Sequence, residues 1–151
     1  EARCVVCLGD SFDDLAAAHE IAEEDRLWLT QLQAGRQWFW IEGNHDPGPV
    51  GLGGTRLSAY QSGSIVFRHI AEPGANNEIS GHYHPKISVK TRLRSVSRPA
   101  FLLDSQRLIM PAFGAFTGGL NATHKALQQL MRQDAKAILT GQTPFCVAMP
   151  R

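Results

Sequence analysis

Four short clusters carry the side chains of this sequence best suited to chemistry, and each follows an apolar run. They are Gly9-Asp10, Gly43-Asn44-His45-Asp46, His69 and Gly81-His82-Tyr83-His84. Together they hold four of the six histidines, leaving only His19 and His124 outside. Carboxylate, amide and imidazole form a mixed oxygen and nitrogen donor set suited to Mn, Fe, Zn or Ni. Asp10, Asn44, His69 and His82 would hold one such ion. Residues two apart face the same way on an extended chain, so His82 and His84 can share a pocket. His84 would then hold a second ion about 3.5–4 Å away, with Asp10 bridging, and water between the ions would ionise near neutral pH. His45 suits protonation of a leaving oxygen or steadying of charge on a phosphoryl group, with Asp46 orienting its ring. Taken singly, each cluster has a plainer reading, because Gly, Asn, Asp and Pro are ordinary turn residues. Their order along the chain, always at the end of an apolar run, favours a metal site.

The elements that must position these groups are legible in outline. Residues 3–9 read as a short, fully buried strand ended by Gly9. From Asp14 to Gln33, Leu15, Ala18, Ile21, Ala22, Trp28, Leu29 and Leu32 recur at helical spacing. Glu23-Glu24-Asp25 suits the start of a second helical segment, since carboxylates are favoured in a first turn, and Gly35 is a stop. Residues 37–42 give a second strand, so the opening is β-α-β, with parallel strands and a covering helix. After a glycine-rich loop from Gly48 to Gly54, short strands are expected at 64–69, 78–80, 87–89, 100–103 and 107–110. A helix is expected from Asn121, as its cap, to Gln133, then strands at 135–139 and 145–149. Trp28, Trp38 and Trp40 read as core or near-core residues, and His19 and His124 as surface or capping residues.

Composition sets the bounds. The 151 residues, 43% apolar and 19% charged, suit a single globular domain spanning 1–151. The net charge of +1 gives no overall field to draw in nucleic acid, so any such attraction must be local. No apolar run nears the roughly 20 residues that span a bilayer, so no membrane partner is expected. The first residues lack the pattern of a signal peptide. Three cysteines without disulfide-like spacing point to reduced thiols, and Cys4, Cys7 and Cys146 read as small buried hydrophobes. These features lead to the expectation of a cytoplasmic protein, or a fragment of one. Lys86, Lys90, Arg92, Arg94 and Arg98 crowd the stretch after the histidine pair. They suit either a phosphate-tracking strip or a charged edge strand that resists aggregation. Phe113, Phe116 and Tyr83 suit stacking on bases or packing alike, and Gly114, Gly118 and Gly119 a bent loop close to a substrate.

These blocks resemble the calcineurin-like metallophosphoesterases. "GDSFD" (9–13) is similar to the family's second block, "GNHD" (43–46) to its third, His69 to its fourth and "GHYH" (81–84) to its fifth. "PAFGAFTGGLN" (111–121) and "GLGG" (51–54) resemble the bacterial branch of ligase-associated DNA-damage-response endonucleases. The resemblance implies a four-layer α/β/β/α sandwich, two divalent metals with Mn favoured, and phosphodiester or phosphomonoester hydrolysis. It makes Asp10 the bridging ligand, Asn44, His69 and His82 ligands of one ion, His84 a ligand of the other, and His45 the catalytic imidazole. Substrate contacts are expected from Asn44, His45, Gly53, Gly54 and Phe116. DNA as substrate, DNA ligase and helicase as repair partners, and self-association follow as further expectations. The family's first block, an Asp-x-His after the first strand, is not found. The expectation is therefore a truncated enzyme lacking its first strand, whose second ion keeps only Asp10 and His84. A degenerate module that binds nucleic acid or a partner protein, with one metal or none, is the alternative.

Overall fold

A computed structural model describes residues 2–49, 51–90, 95–114 and 117–151. It divides into two compact units, Glu1–His69 and Ile70–Arg151. In the first unit, β1 (Cys4–Cys7) leads through α1 (Leu15–His19) and α2 (Glu23–Gln33) to β2 (Gln37–Ile41). The β-α-β opening holds: β1 and β2 are parallel, with Val5 opposite Trp38 and Cys7 opposite Trp40. Two strands went unforeseen. β3 (Thr55–Leu57) adds to β2 in parallel, and β4 (Ala59–Ser62) forms an antiparallel hairpin with β5 (Ile65–Arg68). Both are short and largely polar, so neither gives the apolar run or strict alternation that marks a strand. The hairpin is seated on the sheet by Tyr60, whose ring stacks on Phe39 of β2 at 4.1 Å.

Burial in this unit departs from expectation in three places. β1 is not a fully buried strand: Cys4 is exposed and the other three residues are half-buried, because β1 is the edge of the β1-β2-β3 sheet. Trp28 is not in the core; it is 60% exposed, and no residue of α2 is buried. Polar tethers hold that helix, chiefly Gln33 Nε2 donating to the Leu52 carbonyl at 2.7 Å. The buried apolar groups are instead Ala18, Trp40, Ile41 and Leu52.

The cysteines make the third departure, with Cys4 exposed and Cys7 half-buried here, and Cys146 exposed in the second unit. Burial pushes the Cys7 thiol up to about 11, with the Trp38 side chain opposing and the Asp46 charge adding. Because folding raises this value, the neutral thiol's contribution to stability is present below the ordinary value of 9.0 and fades as pH rises toward about 11. The thiolate is the reactive species. Maleimide at pH 7.5 should therefore label Cys4 and Cys146 while leaving Cys7 largely unmodified, as read by peptide mass spectrometry.

The second unit holds β6 (Glu78–Ser80), β7 (Lys86–Lys90), β8 (Ser95–Leu103), β9 (Arg107–Ile109), α3 (Lys125–Leu130), β10 (Lys136–Leu139) and β11 (Phe145–Ala148). Its strands run in the order β11-β10-β8-β9-β6. β6 and β9 are parallel and the other neighbours antiparallel, while β7 pairs with the first half of β8. Alternate residues of β8 and β10 point into the core in complementary sizes, Leu102 opposite Ala137 and Ala100 opposite Leu139. Leu127 and Met131, at the end of α3, close over them.

The helix begins later than expected. Asn121 is not its cap; its side-chain oxygen accepts from the backbone N–H and hydroxyl of Thr123, a local turn that competes with helix. His124 caps instead, with Nδ1 accepting from Ala126 N–H at 3.3 Å. At the start of β6 and β9, Glu78 and Arg107 are paired across the strands and are 1% and 6% exposed. Arg107 Nη1 lies 3.3 Å from Glu78 Oε1. Arg107 Nη2 donates to the carbonyls of Glu72 and Ala75, and Glu78 Oε2 accepts from Glu72 N–H. The pair thus pins the loop that leads into β6.

Candidate metal centre

Because β1 and β2 are parallel neighbours, their C-terminal ends open on the same edge of the sheet. Asp10 therefore emerges beside the Gly43–Asp46 loop. The approach is close enough to demand glycine: a Cβ on Gly43 would lie 2.1 Å from Asp10 Oδ1 and 2.2 Å from its backbone nitrogen. Asp10 itself takes a left-handed φ of 48°, a strain of about 1–3 kcal/mol that persists only where its surroundings impose it. Here the imposed contacts are specific. Asp10 Oδ1 accepts from the His45 backbone N–H at 2.9 Å, and Oδ2 lies 3.1 Å from His69 Nε2.

His69, at the end of β5, is only 5% exposed, and both ring nitrogens are engaged. Nδ1 is 2.7 Å from the Leu8 carbonyl, and Nε2 is 2.8 Å from Asn44 Oδ1. A carbonyl can only accept, so Nδ1 carries a proton, and the lone pair available to an ion is the one at Nε2. That lone pair meets a carboxylate oxygen and an amide oxygen. A cation between them, or a second proton on the ring, would satisfy all three at once. A nitrogen and two oxygens form a borderline divalent set, and a ring held through its other nitrogen by a carbonyl is how metal-binding histidines are oriented. The residues present fit a divalent ion.

The neighbours have separate tasks. His45 is exposed, with its backbone tied to Asp10. Asp46 is buried, and its carboxylate accepts from the N–H groups of Phe12 at 2.7 Å and Gly48 at 3.1 Å. It clamps the 10–12 loop to the 46–48 loop, a different task from the expected steadying of the His45 imidazole. Gly53 and Gly54, expected at a substrate, pack within their own unit. Trp40 Nε1 donates to the Gly53 carbonyl at 3.0 Å, and a Cβ on Gly54 would lie 2.7 Å from that same nitrogen.

In the second unit, His82 and His84 follow β6 directly. The chain there is not extended as expected: both residues are left-handed, with φ 64° and 43°, and Tyr83 N–H donates back to the Gly81 carbonyl at 2.8 Å. A tight turn has replaced the strand continuation. The Tyr83 ring meets His82 edge-on at 5.0 Å and packs on the hydrophobic core. Burial raises its phenol, the Glu78 charge adding and Arg107 opposing. Of the basic stretch, Lys86 Nζ donates to the Thr117 carbonyl and Arg98 Nη1 to that of Thr140. Arg92, Arg94 and Phe116 lie outside the described residues, and Phe113 is fully exposed.

Sequence reasoning missed the Leu8 carbonyl and the Phe12 and Gly48 amides, because main-chain atoms leave no mark in residue type. The glycine at 43 was the available signal for close approach. No family model and no curated protein matches the chain. Among solved structures it is similar to the nuclease MPE of Pseudomonas putida, with 23% identity and a TM-score of 0.70 over 91% of this chain and 66% of that one. The chain thus spans just under two thirds of that nuclease's length, and the likeness shows a shared mixed α/β fold.

Proposed function

We propose that this chain is a metal-dependent phosphoesterase that cleaves phosphodiester bonds in nucleic acid. The observation that carries the reading is the meeting of Asp10, Asn44 and His69 donor atoms, with the His69 ring fixed by the Leu8 carbonyl. A fold shared with a protein that is a nuclease supports it. On this reading Asp10, Asn44, His69 and His82 hold one ion, and Asp10 and His84 contribute to a second, with Mn favoured. Such ions supply Lewis-acid polarisation of a phosphoryl oxygen and a water ionised near neutral pH.

This chain's own residues do the rest. Asp10 holds the His45 backbone through Oδ1, and on this reading the exposed His45 imidazole protonates the leaving oxygen. Asp46 keeps the two ligand-bearing loops in register. The reading takes residues 1–151 as one domain of the four-layer α/β/β/α type, working in the cytoplasm beside ligase and helicase repair proteins.

Metal analysis and hydrolysis of an aryl phosphodiester with added Mn test it. His45→Ala should lower kcat by about 10²–10⁴ with metal content unchanged. A wild-type rate in that variant removes His45 from the chemistry. Absence of both metal and turnover, with DNA binding retained, replaces the enzyme with a binding module.

A further inference from the structure

His82 and His84 have an energetic problem that the loop does not solve alone. A left-handed backbone costs a residue with a β-carbon about 1–3 kcal/mol, and here two such residues flank Tyr83. Left to itself, the segment would relax toward the extended form that its sequence suggests. What opposes this is a second segment laid alongside it. Leu120 N–H donates to the Tyr83 carbonyl at 3.0 Å, which fixes the peptide between the two histidines. The ladder continues with Lys86 N–H to the Leu120 carbonyl and Ala122 N–H to the Lys86 carbonyl, each at 2.8 Å. Lys86 and Asn121 form a parallel bridge, and Asn121 Nδ2 donates to Ser88 Oγ at 3.1 Å.

That close approach depends on one position. A Cβ on Gly119 would lie 2.2 Å from the His84 carbonyl oxygen and 3.0 Å from the His84 Cβ, and its φ of 139° also disfavours any side chain. The adjacent Gly118 has open space where a Cβ would be and an ordinary φ.

We propose that Gly119–Ala122 is the positioning element of the histidine pair, and that Gly119 is the specific residue that allows it. The inference rests on the reading of His82 and His84 as metal ligands. A methyl group at 119 displaces the His84 peptide, and loss of a group that orients a metal ligand costs about 10–100-fold in affinity.

The test measures Mn²⁺ affinity of the full chain by the electron paramagnetic resonance of free Mn²⁺, alongside thermal unfolding. Gly118→Ala should bind as wild type does, while Gly119→Ala should bind at least about tenfold more weakly and still unfold cooperatively. Wild-type affinity in Gly119→Ala overturns the proposal. His82→Ala is run in parallel to separate the two ideas. If it binds Mn²⁺ as wild type does, the ligand reading fails; if it weakens binding and Gly119→Ala does not, only the positioning role fails. Should Gly119→Ala not fold, hydrogen exchange on the wild type decides. Mn²⁺ should slow the Leu120 and Lys86 amides more than that of Ala137, and equal effects overturn the proposal.

Discussion

Asp10→Asn should leave the fold intact and abolish the proposed metal binding. The substitution preserves shape and keeps an oxygen to accept the His45 N–H, so the loop retains its geometry. What it removes is the negative charge beside His69 Nε2 and, with it, the only carboxylate in the Asp10, Asn44 and His69 set. Loss of a group that only orients a ligand costs about 10–100-fold in metal affinity, and loss of the charged ligand itself should exceed about 100-fold. Thermal unfolding gives a direct reading. At 100 times its dissociation constant, Mn²⁺ stabilises a protein by about 2.7 kcal/mol. That metal-dependent rise in midpoint should be present in wild type and absent in Asp10→Asn, with the metal-free midpoints of the two proteins close together. An equal metal-induced rise in both proteins would remove Asp10 from the site.

Arg107→Met should produce the largest loss of stability. Glu78, at 1% exposure, would lose the guanidinium that lies 3.3 Å from its Oε1, while the Glu72 and Ala75 carbonyls would lose the Arg107 donor. Removing one partner of a buried ion pair costs about 3–5 kcal/mol. In a chain of this length that lowers the midpoint by about 10 °C. Glu78→Leu combined with Arg107→Met removes both charges and should recover most of the loss. Calorimetry of the single and double variants checks both statements. A single variant that melts with wild type would show that the pair contributes nothing.

The order of these effects reflects what residue types could and could not announce. The β9, β10 and β11 segments and the Ala100–Leu103 end of β8 stood out because their apolar residues alternate or run together. β3 and β4 did not, because Thr55-Arg56 and Tyr60-Gln61-Ser62 carry polar side chains whose strand character comes from pairing with Phe39–Ile41 and with β5. In the candidate site, the donor types were visible, and Asp10, Asn44 and His69 meet. The backbone conformation was not visible. Asp10, His82 and His84 all adopt left-handed φ, which propensity argues against for residues bearing a β-carbon. Contacts from the surrounding chain impose it. Trp28 misled for a related reason, since helical spacing predicts which residues share a face and not whether anything covers that face.

The Asp46 carboxylate holds one N–H from the loop after β1 and one from the loop after β2. Asp10 and Asn44 consequently ride on a single bracket. A jolt to either loop moves both oxygen donors together, so the gap between them is conserved even when the bracket as a whole shifts. Precision here comes from a carboxylate that needs no contact with ion or substrate, and erosion at position 46 would show first as scatter in the donor spacing.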